Sequence, residues 1–332
     1  FQNQSVLRYT LSASGLSLES SKVAVAQRLS LIRSPDAPSL CEKSGLGRKR
    51  ARMRRVLRPS PVDAETARIR LQQRAAARRH SSWPRQLQQL EHLAFPYELV
   101  PGAEAEAAYE AARITGETEG FTPLIITPDS LLLPPFSRER LLSEAQRILA
   151  AAPQAEKFFA ERRARLFRHG DGDSTQRMLD EAEAFALAEP VAAPANADNR
   201  MSTLQDMAGQ KPPFPWVEEA ALVRIPTPRS WEIPAYTMYG GWNGCPDSAV
   251  MVAVARYWNE THGADICALG KQTLEFRVAR PPADQPAALA LIREQMLFCA
   301  EGLHDLISAP PMFRDVVAQL RGQRYWLFWW DY

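Results

Sequence analysis

The chain has 332 residues, 45% of them hydrophobic, enough for a sizeable core in two domains or one large one. Its net charge of +2 conceals an asymmetry: residues 1–90 hold 18 Lys and Arg against 5 Asp and Glu, and the rest is an acidic body. No run approaches the roughly 18 apolar residues of a membrane-spanning helix, and four cysteines without a CxxC pair argue against a disulfide framework and suit a reducing, cytoplasmic setting.

Residues 1–82 read as a basic, largely disordered leader. Seven of the twelve residues from Gly47 to Arg58 are basic, which makes 47–58 the one stretch suited to nucleic acid or an anionic surface. No aromatic side chain is interleaved there to stack on bases, so a solvated arm is the favoured reading. Residues 62–80 suit an Arg/Ala/Gln-rich solvated helix. A predicted α/β region covers 83–189. It opens with a strand at Tyr97–Val100, a helix at Ala103–Ile114 and a strand at Thr122–Thr127, expected to be parallel with a right-handed crossover. Ser137 then caps a helix, Arg138–Ala151, whose inner face is Leu141, Leu142, Ala145, Ile148 and Leu149. Helices near 154–168 and 174–188 follow, split by Gly170-Asp171-Gly172-Asp173. Counted from Asp171, the twelfth position of a calcium loop is Ala182, which cannot ligate, so this is a linking loop. Residues 190–215 are Pro-rich and read as a linker.

The last region, 216–332, holds seven of the eight tryptophans. A strand is predicted at Ala220–Ile225 and another at Ile233–Tyr239, ended by Gly240-Gly241. Val250, Met251, Val254, Tyr257 and Trp258 recur at helical spacing from Ser248, with Cys245 near the N-cap and Asp247 in the first turn. His262-Gly263 ends that helix. Ile266–Leu269 and Thr273–Ala279 form a hairpin about Gly270-Lys271, with Leu274, Phe276 and Val278 buried and Glu275 and Arg277 on a wet face. Asp284 caps a helix running to Cys299, and another covers about Met312–Leu320. The final run Tyr325–Trp330 is apolar on both faces, so Trp329 and Trp330 should point to opposite, covered sides. The expected fold is α+β. From 233 onward the order suggests a split-βαβ, ferredoxin-like sandwich with a mainly antiparallel sheet, helices on one face, and strand 220–225 covering an edge.

Several motifs together carry a resemblance. They are Trp231-Glu232-Ile233-Pro234-Ala235-Tyr236, Gly240-Gly241-Trp242-Asn243-Gly244-Cys245-Pro246, Ala255-Arg256-Tyr257-Trp258 and His262-Gly263-Ala264. Leu274-Glu275, Val278-Ala279-Arg280-Pro281-Pro282, Ala290-Leu291 with Arg293-Glu294-Gln295, Cys299 and Trp329-Trp330-Asp331 complete the set. About residues 212–332 resemble the bacterial domain-of-unknown-function family 4253, with a weaker likeness back to about residue 95. Where that family usually has alanine this chain has Gly244, and after Cys299 it has Ala300-Glu301-Gly302 in place of a Pro-Asp-type continuation. The resemblance implies a domain and no particular reaction.

Two functions compete on the residues alone. A binding or interaction module, of an immunity type or a regulatory one, would use Trp242, Asn243, Cys245 and Arg256 against another protein, since Trp and Arg are frequent hot-spot residues. A thiol-dependent enzyme would use Cys245 as nucleophile at a helix N-terminus, His304 or His262 as base and Asn243 as orienter. A helix from Cys245 to His262 spans roughly 25 Å, which takes His262 out of reach. Packed and unreactive is the favoured state of Cys245. Cys245, Cys299 and His304 match no zinc spacing, and no cofactor, metal or membrane partner is expected.

Overall fold

The computed structural model describes residues 95–127, 136–166, 172–194, 199–204, 217–301 and 303–330. The basic leader, residues 83–94, the Gly170-Asp171 turn, 195–198, 205–216 and Asp331 lie outside the described residues.

The elements are β1 (Tyr97–Pro101), α1 (Gly102–Glu119), β2 (Thr122–Ile126), α2 (Arg138–Ala151), α3 (Ala155–Leu166), α4 (Gly172–Ala188) and β3 (Glu219–Ile225). Then come α5 (Ile233–Thr237), α6 (Ser248–His262), β4 (Ala264–Leu269), β5 (Thr273–Val278), α7 (Gln285–Phe298), α8 (Leu303–Ile307), α9 (Pro310–Leu320) and β6 (Tyr325–Trp329). Single 3₁₀ turns stand at Ser202–Leu204 and Ser230–Glu232. The caps read from sequence are in place. Ser137 accepts from the Arg140 N–H, and Asp284 accepts from that of Ala287 at 2.9 Å.

The six strands among the described residues form one mixed sheet in the order β1-β3-β2-β4-β5-β6. Two antiparallel halves, β1-β3-β2 and β4-β5-β6, meet at a single parallel pairing of Ile125 with Ala268 and Ile126 with Leu269. β1 and β2 both run against β3, so they are parallel to each other as expected, but β3 separates them. β3 is therefore an interior strand and not the edge cover the sequence suggested. Its burial agrees, since Ala220, Ala221, Leu222 and Val223 are all inside.

The predicted strand at Ile233–Tyr239 is absent. Those residues form α5, entered through the 3₁₀ turn and left through Met238 in the left-handed region. Proline explains the difference: Pro234 at the first helical turn fixes a helical φ and has no N–H for a ladder. The chain from Glu219 still runs β-α-β-β-α-β, but β2 stands between β3 and β4 and β6 lies beside β5, which is not the strand arrangement of a split-βαβ sandwich. Helices also cover both faces of the sheet, not one.

On one face α1 packs Ala105 and Tyr109 onto Ile125, Leu222, Cys267 and Tyr325, with Met201 and Leu204 sealing the layer. On the other, Trp258 of α6 lies among Phe276, Phe298, Trp326 and Phe328, with ring centroids 5.1–5.8 Å away. Its indole N–H donates to Glu294 at 2.9 Å, so the polar end of the ring is satisfied. β6 alternates as expected, Tyr325 toward α1 and Trp326 toward α6. Trp330, one residue past the strand, is fully buried, whereas Trp329 is only half-buried.

Candidate functional site

The Gly-Gly-Trp-Asn-Gly-Cys-Pro stretch is a tight turn between α5 and α6. Gly240 has φ +113°, and a Cβ there would sit 2.2 Å from the Pro246 carbonyl oxygen, so only glycine fits. The turn closes through Gly241 N–H to Pro246 O at 2.9 Å and Cys245 N–H to Trp242 O at 2.8 Å. It is fastened to the body by Tyr239, whose hydroxyl donates to Thr273 O at 2.9 Å and whose ring meets Trp242 edge-on at 4.8 Å. Asn243 is exposed with φ +45°, a conformation asparagine tolerates better than most residues. A Cβ at Gly244 would have ordinary clearance, its nearest neighbour being Glu301 at 3.6 Å, so the alanine usual in the resembled family would fit.

The N-cap of α6 is Asp247, not Cys245: the Asp247 carboxylate accepts from Val250 N–H at 2.9 Å. Cys245 lies two residues earlier and is 5% exposed. Burial pushes its thiol far up, Cys299 pushes the same way, and a hydrogen bond from the Gly241 N–H pulls only weakly back. Cys299 donates to Trp329 O at 3.0 Å, and burial pushes its thiol up to about 12. Asn243 thus shares the turn with Cys245 but is exposed, while Trp242 is half-buried with its indole nitrogen inside.

The two candidate histidine bases have other neighbours. His304 is 76% exposed and reaches only Asp305, at 3.9 Å. His262 ends the opposite end of α6, its ring against Trp326 and its Nδ1 3.2 Å from Arg280 O. Among the described residues no group of three or more His, Cys, Asp and Glu side chains is arranged to hold a metal ion. No described helix is long and apolar enough to cross a membrane.

Arg256 belongs to a different constellation. Its guanidinium lies over the Trp231 ring at 5.4 Å, and that of Arg229 lies over the same ring at 5.0 Å. Both arginines keep more than half of their side chains in water while pairing with Glu260 and Glu232. Glu232 itself is buried and also accepts from the Thr227 hydroxyl. Trp231 packs inward with Tyr236 and Met238 onto Ala145, Ile148, Ala235 and Val252. Arg229 was not singled out from sequence, although its place two residues before a tryptophan was the available signal.

Sequence reading also missed a buried carboxylate on the α1 face. Glu275 is fully buried, where alternation along β5 implied a wet position. Arg277, its companion, is ion-paired with Glu110 of α1.

No curated protein and no solved structure matches the chain. Residues 221–331 match the model of the family described as Domain of unknown function (DUF4253). That segment supplies most of β3 and all of β4, β5 and β6, yet β2, from outside it, lies between β3 and β4. The turn, Arg229, Trp231 and Arg256 all fall inside the match.

Proposed function

We propose that the protein is a binding module that contacts another protein through the face bearing Trp231, Arg229 and Arg256, with the Trp242-Asn243 turn beside it on the same α5–α6 unit. The observation that carries this reading is the single indole with two half-exposed guanidinium groups against its ring. Such a stack fixes long side chains in place before any partner arrives, which lowers the entropy cost of contact. Tryptophan and arginine are also the residues that most often dominate interface energies. The thiol-enzyme alternative draws less support. Cys245 is buried with its thiol held protonated, His262 stands at the far end of α6, and His304 is exposed beside Asp305. A cytoplasmic setting is part of the proposal, in keeping with the unpaired thiols of Cys245, Cys267 and Cys299.

The test uses a photo-crosslinking residue placed singly at Arg256, Asn243 or, as a control, Glu117 on α1, in the full chain in its native cells. The first two positions should capture one common protein, and Trp231→Ala should abolish the capture at Asn243. Adducts no more specific than those at Glu117 would reject the reading.

A further inference from the structure

At one corner of the molecule, four buried N–H donors have no hydrogen-bond partner among the described residues: Arg162 Nε on α3, Trp242 Nε1 in the turn, Gln295 Nε2 on α7 and Trp330 Nε1 after β6. The segments that carry them meet there. Cys299 caps α7 one turn after Gln295, and its thiol donates to Trp329 O at 3.0 Å. The Trp330 ring stands edge-on to Phe298 at 5.4 Å, and its peptide N–H donates to Gln272 O at 2.9 Å. Tyr239 brings Trp242 to the same end of the sheet, because its hydroxyl bonds Thr273 O and Thr273 is the register partner of Trp329. Gly244 of the turn lies beside Glu301. Finally, α3 packs on α7, where burial raises the Cys299 thiol and the Arg162 charge pulls the other way.

We propose that this corner is a binding site for a small carboxylate, held by the N–H groups of Arg162, Trp242, Gln295 and Trp330. All four atoms can only donate, so they select an acceptor and reject a cation. A buried donor without a partner is costly, and Trp330 lies wholly inside, so an acceptor arriving there meets a donor already stripped of water. Charge narrows the class further. Arg162 supplies one positive charge and the other three donors are neutral, which suits a single negative charge. The Glu301 carboxylate beside the turn disfavours a second one. Arg162, Trp242 and Gln295 are partly exposed and form the entrance, with Trp330 behind them.

Unpartnered polar atoms elsewhere make no such group. Trp326 Nε1 belongs to the other end of β6, where its ring meets those of Trp258 and His262. Thr203 Oγ1 sits in the Ser202–Leu204 turn, and Arg321, whose Nε is unpartnered, reaches Val191 O past the end of α9. The corner also differs from the Arg229–Trp231–Arg256 stack, where each arginine already has a carboxylate partner. A small ligand at the corner and a protein on that stack are independent of each other.

Nuclear magnetic resonance on the full, nitrogen-labelled chain tests the proposal, because each indole N–H gives its own signal and single Trp-to-Phe replacements assign it. Sodium acetate is the probe, against sodium chloride at equal ionic strength. The Trp242 and Trp330 indole signals should shift together and saturate with one midpoint, while those of Trp258 and Trp326 stay in place. Arg162→Gln should weaken acetate binding by about tenfold or more, since it removes the charged donor. Sodium phosphate, mostly a dianion at about pH 8, should bind less tightly than acetate. No saturable shift, shifts that chloride reproduces, equal movement of Trp326, unchanged binding in Arg162→Gln, or tighter binding of phosphate would each overturn the proposal. If Arg162→Gln does not fold, the contrast between acetate and chloride in the unaltered chain decides by itself.

Discussion

The two faces of the sheet are held by different physics. Toward α6 lies an aromatic layer in which Trp258, Phe276, Phe298, Phe328 and Trp330 meet mostly edge to face. Its cohesion is burial and ring geometry; the Trp258 N–H is met by Glu294, while the buried indole N–H groups of Trp326 and Trp330 have no hydrogen-bond partner among the described residues. Toward α1 the layer is thinner and carries Glu106, Glu275, Tyr109 and Tyr325 within its apolar packing. Buried polar networks are sensitive to the loss of any member, and they respond to pH where aromatic packing does not. The chain thus sets a permanent layer and a titratable one on opposite sides of the same six strands.

The largest predicted effect comes from removing one face outright. A fragment of residues 212–332, cut at the linker expected from sequence, lacks β1, α1 and β2. It would leave β3 and β4 without the strand between them and the α1 face bare. No cooperative unfolding transition should be seen by circular dichroism, and a sharp one would show that the later half stands alone. Next, Trp258→Ala should cost roughly 3–5 kcal/mol in denaturant titration, by the same amount at any pH at which the protein folds. On the α1 face, Tyr325→Phe leaves one oxygen of Glu106 without its donor and should cost about 1–3 kcal/mol. Asp247→Ala removes the α6 cap and should cost about 1 kcal/mol without touching either face. The smallest effect concerns the turn: Cys245 in the folded chain should resist alkylation at pH 8 far better than in the unfolded chain, because burial holds its thiol protonated.

Much of this contrast was legible in the sequence, but only on one side. Helical spacing placed Trp258 inward, and alternation placed Phe276 and Phe328 with it, so the aromatic layer follows from local periodicity. The Gly-Gly turn was equally local, though its cap was assigned two residues early because Cys245 and Asp247 both precede the apolar run. Glu275 was misread because alternation says which residues share a face and not what covers that face. Its cover comes from Ser202 and Thr203, more than seventy residues earlier, and from α1, farther still. The α5 segment was misread because its aromatic and β-branched residues outweighed Pro234 in the reading, while in the fold the proline decided.

The claim that the two faces respond differently to pH can be tested by comparing unfolding free energies of wild type, Glu275→Gln and Trp258→Phe at about pH 5 and about pH 8. Burial raises the Glu275 carboxyl from 4.5 to about 7, so between these values the folded protein keeps a proton that the unfolded chain has lost. The stability due to this group is therefore greatest below about pH 4.5 and falls as pH rises to about 7, by on the order of 3 kcal/mol. The account predicts that Glu275→Gln removes that fall and that Trp258→Phe, though less stable, retains it in full. The same slope in wild type and Glu275→Gln would contradict it.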